Sequence, residues 1–258
     1  MTQKITKPRK RSRSSIRQST DGDLNAIQTW LVKEESLGVD GNFLCNWGVI
    51  ESAHINGDLL VYIDGKSGEP VAFQLGKLIY PGILQVRNEY RGKGIGRKIV
   101  ERCFSINRKR DECLLYIQCK PSSSIPFWKR MGFTLINSRD GHYYAYRILE
   151  KNLPLPEQGK DPKVVVRFFP ESRKWDPKKL PYAIHEPKAK MGRDKIIYLK
   201  KRASLHTKTL TDPFDGDIVI EIEVDRKQRF LDKAKYQEAR AIGVRHCANG
   251  FYIDTVNL

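Results

Sequence analysis

The spacing of apolar positions changes along the chain, and each change marks an element. Residues 16–20 read as a short strand. Asp21 is placed to cap a helix, and Leu24, Ile27, Trp30 and Leu31 then fall at i, i+3, i+6 and i+7 on one helical face. Residues 42–54 fit either period poorly. Two apolar runs, 59–63 and 71–75, flank a turn marked by Asp64, Gly65, Ser67, Gly68 and Pro70, which predicts a β-hairpin. The run 83–86 follows closely enough to extend it as an antiparallel meander. Ile95, Ile99, Val100 and Cys103 keep helical spacing to about Arg108. Residues 114–119 form an apolar strand reached through that helix, and so expected to lie parallel to the strand before it. A short helix over 122–131, stopped by Gly132, and strands at 133–136 and 143–146 complete the first half.

In the second half, strands are predicted at 164–169, 196–199, 218–224 and 251–253. Phe230, Leu231, Ala234, Ala241 and Ile242 stripe a helix from about Arg229, with Gln237 and Glu238 interrupting it. The expected fold class is therefore α/β (α+β): a mixed, mostly antiparallel sheet flanked by helices over residues 14–150, then a smaller α+β domain over 164–258. Residues 151–163, with Pro154, Pro156, Gly159 and Pro162, are the linker candidate.

Size agrees with two domains, since 258 residues exceed the roughly 100 to 150 typical of one. With 40% apolar and 10% aromatic residues the chain can bury cores, which excludes wholesale disorder. No run approaches the roughly 20 apolar residues of a membrane helix and the start lacks a secretory apolar centre, so a cytoplasmic location is expected. Five cysteines, an odd number without a Cys-x-x-Cys pair, argue against a disulfide framework or a zinc knuckle.

The net charge of +17 is unevenly spread. Residues 1–13 carry six Lys and Arg and no acid; residues 14–150 hold 18 against 15 Asp and Glu, and residues 151–258 hold 23 against 15. The first 13 residues, almost without apolar side chains, read as a disordered basic arm. It would either hold RNA or another polyanion through counterion release or serve as a solvated tail.

The chemistry concentrates where a strand meets a helix through Arg91, Gly92, Lys93, Gly94, Ile95, Gly96 and Arg97. Without Cβ atoms the glycines let main-chain N–H groups converge on an anion, while the following helix presents its positive end to the same point; a pyrophosphate suits that place. A dinucleotide-binding reading fails, because its glycine loop follows the first strand rather than a meander of several. A Walker loop lacks its closing Lys-Ser or Lys-Thr.

Arg91-x-x-Gly94-x-Gly96, together with Ile16, Arg17, Asp23 and Leu24 upstream and the Phe127-Trp128-Lys129-Arg130-Met131-Gly132-Phe133 segment downstream, resembles the GNAT superfamily of acyl-CoA N-acyltransferases over most of residues 14–150. The resemblance implies acetyl-CoA as co-substrate. It implies a V-shaped split in the sheet where main-chain groups of Leu84 and Val86 pair with the pantetheine amides, and residues 91–97 holding the pyrophosphate. The family commonly supplies a Glu as base and a Tyr in the late helix as acid. The Tyr position here is Trp128, whose indole N–H has no useful acidity, and Ser122 stands where Asn usually caps that helix. Glu51 is the candidate base, with a solvated surface carboxylate as the other reading; Tyr80, Tyr143 and Tyr144 are candidate acids or pocket walls.

The second half resembles no family. Asp212, Asp215, Asp217, Glu221 and Glu223 read as a cation site or, in part, as the solvent face of a strand, and no metal is expected. Lys188, Lys190, Arg193, Lys195, Lys200, Lys201 and Arg202, around Tyr198, read as a phosphate-tracking run or as a solvated basic surface. Two functions follow. One is an N-acetyltransferase moving acetyl from acetyl-CoA to a primary amine, on a large acidic or nucleic-acid-associated acceptor; the other is a non-catalytic acyl-CoA-binding module of a nucleic-acid-binding or scaffolding protein.

Overall fold

Helix α1, Asp21–Ser36, begins one residue earlier than a cap at Asp21 would require. Thr20 is the N-cap: its hydroxyl accepts the Asp23 N–H and the Asp23 carboxylate accepts the Thr20 N–H, a reciprocal box that satisfies two orphan donors. Arg17, on strand β1 (Ser15–Gln18), closes the same carboxylate from the other side at 2.5 Å. The buried face of α1 is the predicted one, with Ile27, Trp30 and Leu31 in the core.

The computed structural model describes residues 13–136, 141–210, 216–248 and 250–258. The basic arm, Arg13 excepted, and two members of the acidic group, Asp212 and Asp215, lie outside the described residues. The chain divides into two compact units: residues 1–106 with 116–145, and residues 107–115 with 146–258.

In unit 1 the stretch of mixed period becomes helix α2, Trp47–Ile55, which buries Ile50 and Ala53. Strands β2 (Leu60–Ile63), β3 (Pro70–Leu75) and β4 (Ile83–Val86) follow, and the first sheet runs β1-β2-β3-β4, antiparallel throughout. Phe73, Val61 and Leu75 meet Trp30 and Leu31 of α1 and Ile50 of α2 in its core. Helix α3 (Ile95–Lys109) leads to β5 (Leu114–Gln118), and α4 (Ile125–Arg130) precedes β6 (Thr134–Ile136) and β7 (Tyr144–Ile148). These last strands form a second sheet, β5-β7-β6. The expected parallel neighbour of β5 is met only by one bridge, Ile79 to Tyr116, just before β4. The sheet is thus split between β4 and β5.

Unit 2 contains β8 (Val164–Phe169), β9 (Ala183–His185), β10 (Ala189–Met191), β11 (Ile196–His206), β12 (Val219–Val224), β13 (Lys227–Lys233), α5 (Gln237–Ile242), β14 (Val244–Cys247) and β15 (Gly250–Asn257). Two four-stranded antiparallel sheets, β10-β11-β15-β14 and β13-β12-β8-β9, share a core that includes Phe168, Leu199, Ile220, Ile222 and Ile253. The predicted helix from Arg229 is corrected: residues 227–233 are a strand, and the helix is confined to six residues. Asp225 and Arg226, at φ +50° and +64°, turn β12 back onto β13. A tight turn of that kind usually announces itself with Gly or Asn, and none is present. Within this unit the proline-rich stretch pairs locally, Asn152 bridging to Lys201 and Lys160 to Met191.

Candidate functional site

The edge of β4 is the first component. Arg87 N–H donates to Val71 O at 2.9 Å, so by antiparallel alternation the odd residues of β4 bond to β3 and the main-chain groups of Leu84 and Val86 point away from it. Val86 O is already engaged, accepting from Arg91 Nε at 3.1 Å, while Arg91 Nη1 reaches Asp40 O at 3.0 Å. The arginine side chain therefore braces the strand edge against residue 40.

The second component is the glycine loop. Gly92 and Gly94 sit at φ +75° and +76°, where an L side chain is strained, and a Cβ built on either would meet no atom within 4 Å. The backbone here is turned inside out with open space beside it. Gly96 plays a different part: it is helical, and a Cβ there would stand 3.4 Å from the Phe127 ring and 3.6 Å from Val86, ordinary van der Waals contact of α3 with α4 and β4. The first amide of this helix to reach back is that of Lys98, to Gly94 O at 3.2 Å. The N–H groups of Ile95, Gly96 and Arg97 open a 15-residue helix without intrahelical acceptors, at the positive end of its dipole. Such an end receives an anion. Lys93 Nζ lies 4.8 Å over the Tyr90 ring, and Arg97 pairs with Glu101 at 2.8 Å.

A buried carboxylate holds these components in place. Glu34 on α1 is 6% exposed and accepts the Asn88 N–H at 2.5 Å and the Gln85 amide at 3.4 Å; Gln85 Oε1 accepts the Phe43 N–H at 3.0 Å. Sequence reading missed Glu34. Its signal was present, since it follows Trp30 and Leu31 at i+4 and i+3 on the apolar stripe, where a carboxylate needs a reason.

Glu51 is exposed on α2, and the structure places it in no hydrogen bond among the described residues. His54 is tied to Ser19 Oγ at 2.7 Å and Asp21 Oδ1 at 2.9 Å. Trp128 is buried, edge-on to Phe127 and Phe133 at 4.9 and 5.2 Å, so it packs α4. At the vertex of the split, Tyr116 stacks on Tyr144 at 5.4 Å and Tyr80 meets both edge-on at 6.1 and 5.8 Å. Burial, then the neighbouring phenols of Tyr144 and Tyr80, pushes the Tyr116 pKa above its ordinary value. Tyr116 went unnoticed as a candidate because in sequence it reads only as one more apolar strand position.

In the second unit the described members of the acidic group sit in ion pairs. Glu221 and Glu223 each lie 3.1 Å from Arg167, and Asp217 pairs with Lys233 and Lys235. Among the described residues no group of three or more His, Cys, Asp or Glu is placed to hold a metal. Arg202 leaves the basic run altogether: it is 5% exposed, bound to both oxygens of Asp254 at 2.7 and 2.6 Å, and packed 3.8 Å from the Tyr252 ring centroid. Of the cysteines, Cys103, Cys113, Cys119 and Cys247 are buried and Cys45 is exposed. No described helix is long and apolar enough to cross a membrane.

A split sheet with a free strand edge runs into a glycine loop and a helix N-terminus. Residues 52–135 match the family model of the acetyltransferase (GNAT) domain. Among solved structures, a GNAT-family acetyltransferase from Staphylococcus aureus Mu50 is 16% identical, over 53% of this chain and 99% of that one, at a TM-score of 0.41. PaiA N-acetyltransferase from Thermoplasma acidophilum in complex with coenzyme A is 15% identical, over 53% and 99%, at 0.40. YncA of Salmonella typhimurium, an acetyltransferase by its description as a candidate and solved with acetyl-CoA, is 16% identical, over 57% and 100%, at 0.40. No curated protein matches the chain.

Proposed function

We propose that unit 1 transfers an acetyl group from acetyl-CoA to a primary amine. The observation that carries this reading is the loop: Gly92 and Gly94 at positive φ, open on the side a Cβ would fill, leading into the unpaired N–H groups of α3 beside the free edge of β4. Residues 91–97 would hold the pyrophosphate through main-chain amides, and the free main-chain groups of Leu84 and the N–H of Val86 would pair with the pantetheine. The coenzyme supplies the activated thioester; the chain positions it and keeps the amine side of the split apart from the phosphates.

Attack needs a neutral amine, and the departing thiolate needs a proton. Glu51 is the proposed base. Trp128 lies buried where the family places its acid, so the proton must come from elsewhere, and the phenols of Tyr80, Tyr143 and Tyr144 are the candidates. The uneven positive charge favours a large acidic or nucleic-acid-associated acceptor, reached through residues 1–13 and unit 2, in the cytoplasm.

Buried Trp128 also supports a second reading, a module that binds acyl-CoA without chemistry. Thiol release from acetyl-CoA, followed with a panel of amines, peptides and RNAs, separates the two. Turnover on any of them supports the enzyme; calorimetric CoA binding with no turnover on all of them supports the module. Absence of CoA binding overturns both. Replacing Glu51 with Gln should lower kcat roughly tenfold or more, and an unchanged kcat removes Glu51 from the mechanism.

A further inference from the structure

Unit 2 holds a cavity of about 350 Å³ alongside β9 and β11, and none of its chemistry is used above. Its polar lining is His185, Ser204, His206 and Thr209. Ser204 and His206 stand two residues apart on one strand and so share a face. His185 Nε2–H donates to the Ser204 carbonyl at 2.9 Å, a bond only a protonated nitrogen can make, so in the neutral ring Nδ1 carries the lone pair. Burial, with His206 and Lys201 nearby, holds the His185 pKa below its ordinary value and keeps that ring neutral.

His206 is 3% exposed, its Nε2 lies 3.1 Å from Ser204 Oγ, and its Nδ1 is buried with no hydrogen-bond partner. An orphaned lone pair is cheaper than an orphaned N–H, which assigns the proton to Nε2 and directs it at Ser204 Oγ. The serine hydroxyl hydrogen is then free to donate. The rest of the wall is apolar or aromatic, with Tyr182, Leu205 and Leu210 among it.

Among the described residues this lining carries no charged side chain, in a stretch of chain where Lys and Arg number 23 against 15 acids. Such walls offer no counter-charge for a phosphate or an ammonium group. They suit a neutral body that offers both a donor and an acceptor, and the volume is at the small end of the roughly 300 to 1,000 Å³ of ligand pockets. We propose that this cavity binds a neutral nitrogen heterocycle of nucleobase type, its polar edge meeting His185 Nδ1 and the Ser204 hydroxyl. The base has two possible sources, a free nucleoside or an unpaired position in single-stranded nucleic acid. The proposal rests on unit 2 alone and stands or falls separately from the acetyl-transfer reading.

The full chain is titrated with adenosine, cytidine, guanosine, uridine, ribose and a short single-stranded RNA while the histidine ring signals are followed by NMR. At least one nucleoside should shift the His185 and His206 signals with a Kd on the order of 1 mM or tighter, and ribose should not. Movement by the RNA but by no nucleoside assigns the base to the polymer and also supports the site. Ser204→Ala and His185→Phe should each weaken binding roughly tenfold. Should either variant fail to fold, the histidine shifts of the unaltered chain decide. Histidine signals that stay still with every nucleoside and with the RNA overturn the proposal, whether or not the RNA binds elsewhere.

Discussion

At Gly94 the main chain occupies a conformation that costs an L side chain about 1–2 kcal/mol, whereas Gly96, two residues on, is an ordinary helical residue with a ring 3.4 Å from its absent Cβ. The two glycines should therefore answer differently to the same change. Gly94→Ala should lower stability by about that amount and abolish the heat of CoA binding, while Gly96→Ala should leave both nearly unchanged; equal effects in calorimetry would contradict this division of labour. Arg202 gives a second test. Its replacement by Met takes from Asp254, three-quarters buried, its nearer cation and leaves Lys151 3.7 Å away, so the loss should stay below the roughly 3–5 kcal/mol of a wholly uncompensated buried charge. The urea midpoint should fall accordingly, and a variant as stable as the parent would show that the pair contributes nothing net.

Among elements, the start of α1 ties stability to pH. Burial opposes ionisation of Asp23, but hydrogen bonds from Arg17 and from the backbone and hydroxyl of Thr20 outweigh it and hold the carboxyl below its usual range. A depressed folded-state pKa adds stability that is fully present above the unfolded value of about 3.9 and is lost as pH falls through the folded value. Asp23→Asn should thus cost about 1 kcal/mol at neutral pH, with the gap between variant and parent closing in strongly acid solution. For β4, Leu84→Pro removes an N–H that points away from β3 and so spares the ladder. The fold should persist while CoA affinity drops about tenfold, the value of one hydrogen bond; an unchanged affinity would place the pantetheine elsewhere.

Elements were legible in sequence where one period dominated. The stripe of α1, the meander from β2 to β4 and the loop at 91–97 could all be read because each repeats one spacing or carries glycines where the backbone demands them. The cap of α1 was displaced by one residue, because Thr20 and Asp23 satisfy one another in a way that spacing alone does not rank above Asp21. Strand β13 mimics a helix in sequence because Phe230, Leu231 and Ala234 happen to fall at helical intervals and the turn at Asp225 and Arg226 lacks glycine. Glu34 and Arg91 show a further limit: their contacts join α1, residue 40 and the loop across 51 to 54 residues of sequence. The tyrosines 80, 116 and 144 come together for the same reason, through pairing that no local pattern encodes.

For the whole molecule, charge and thiols offer readouts. If the basic excess serves a polyanion, RNA affinity should fall steeply as salt rises, and the slope should shrink when residues 1–13 are removed; no RNA binding at low salt would end that idea. With four of five cysteines buried, a thiol reagent should label Cys45 alone in the native chain. A fragment ending at residue 150 should add Cys113 to the reactive set, because Asp111 and Cys113 contact Arg202 within unit 2.

The two units are not consecutive stretches: residues 107–115 belong with the second, so the chain passes from one to the other three times. During synthesis this short segment leaves the ribosome long before Arg202, which holds its Asp111, and Asp254, which in turn holds Arg202. At roughly 5–20 residues per second, Cys113 and Leu114 wait on the order of 10 s or more for their partners. Pulse-labelled nascent chains should keep Cys113 open to alkylation until β15 emerges, which makes that strand the timekeeper for a segment about 140 residues before it.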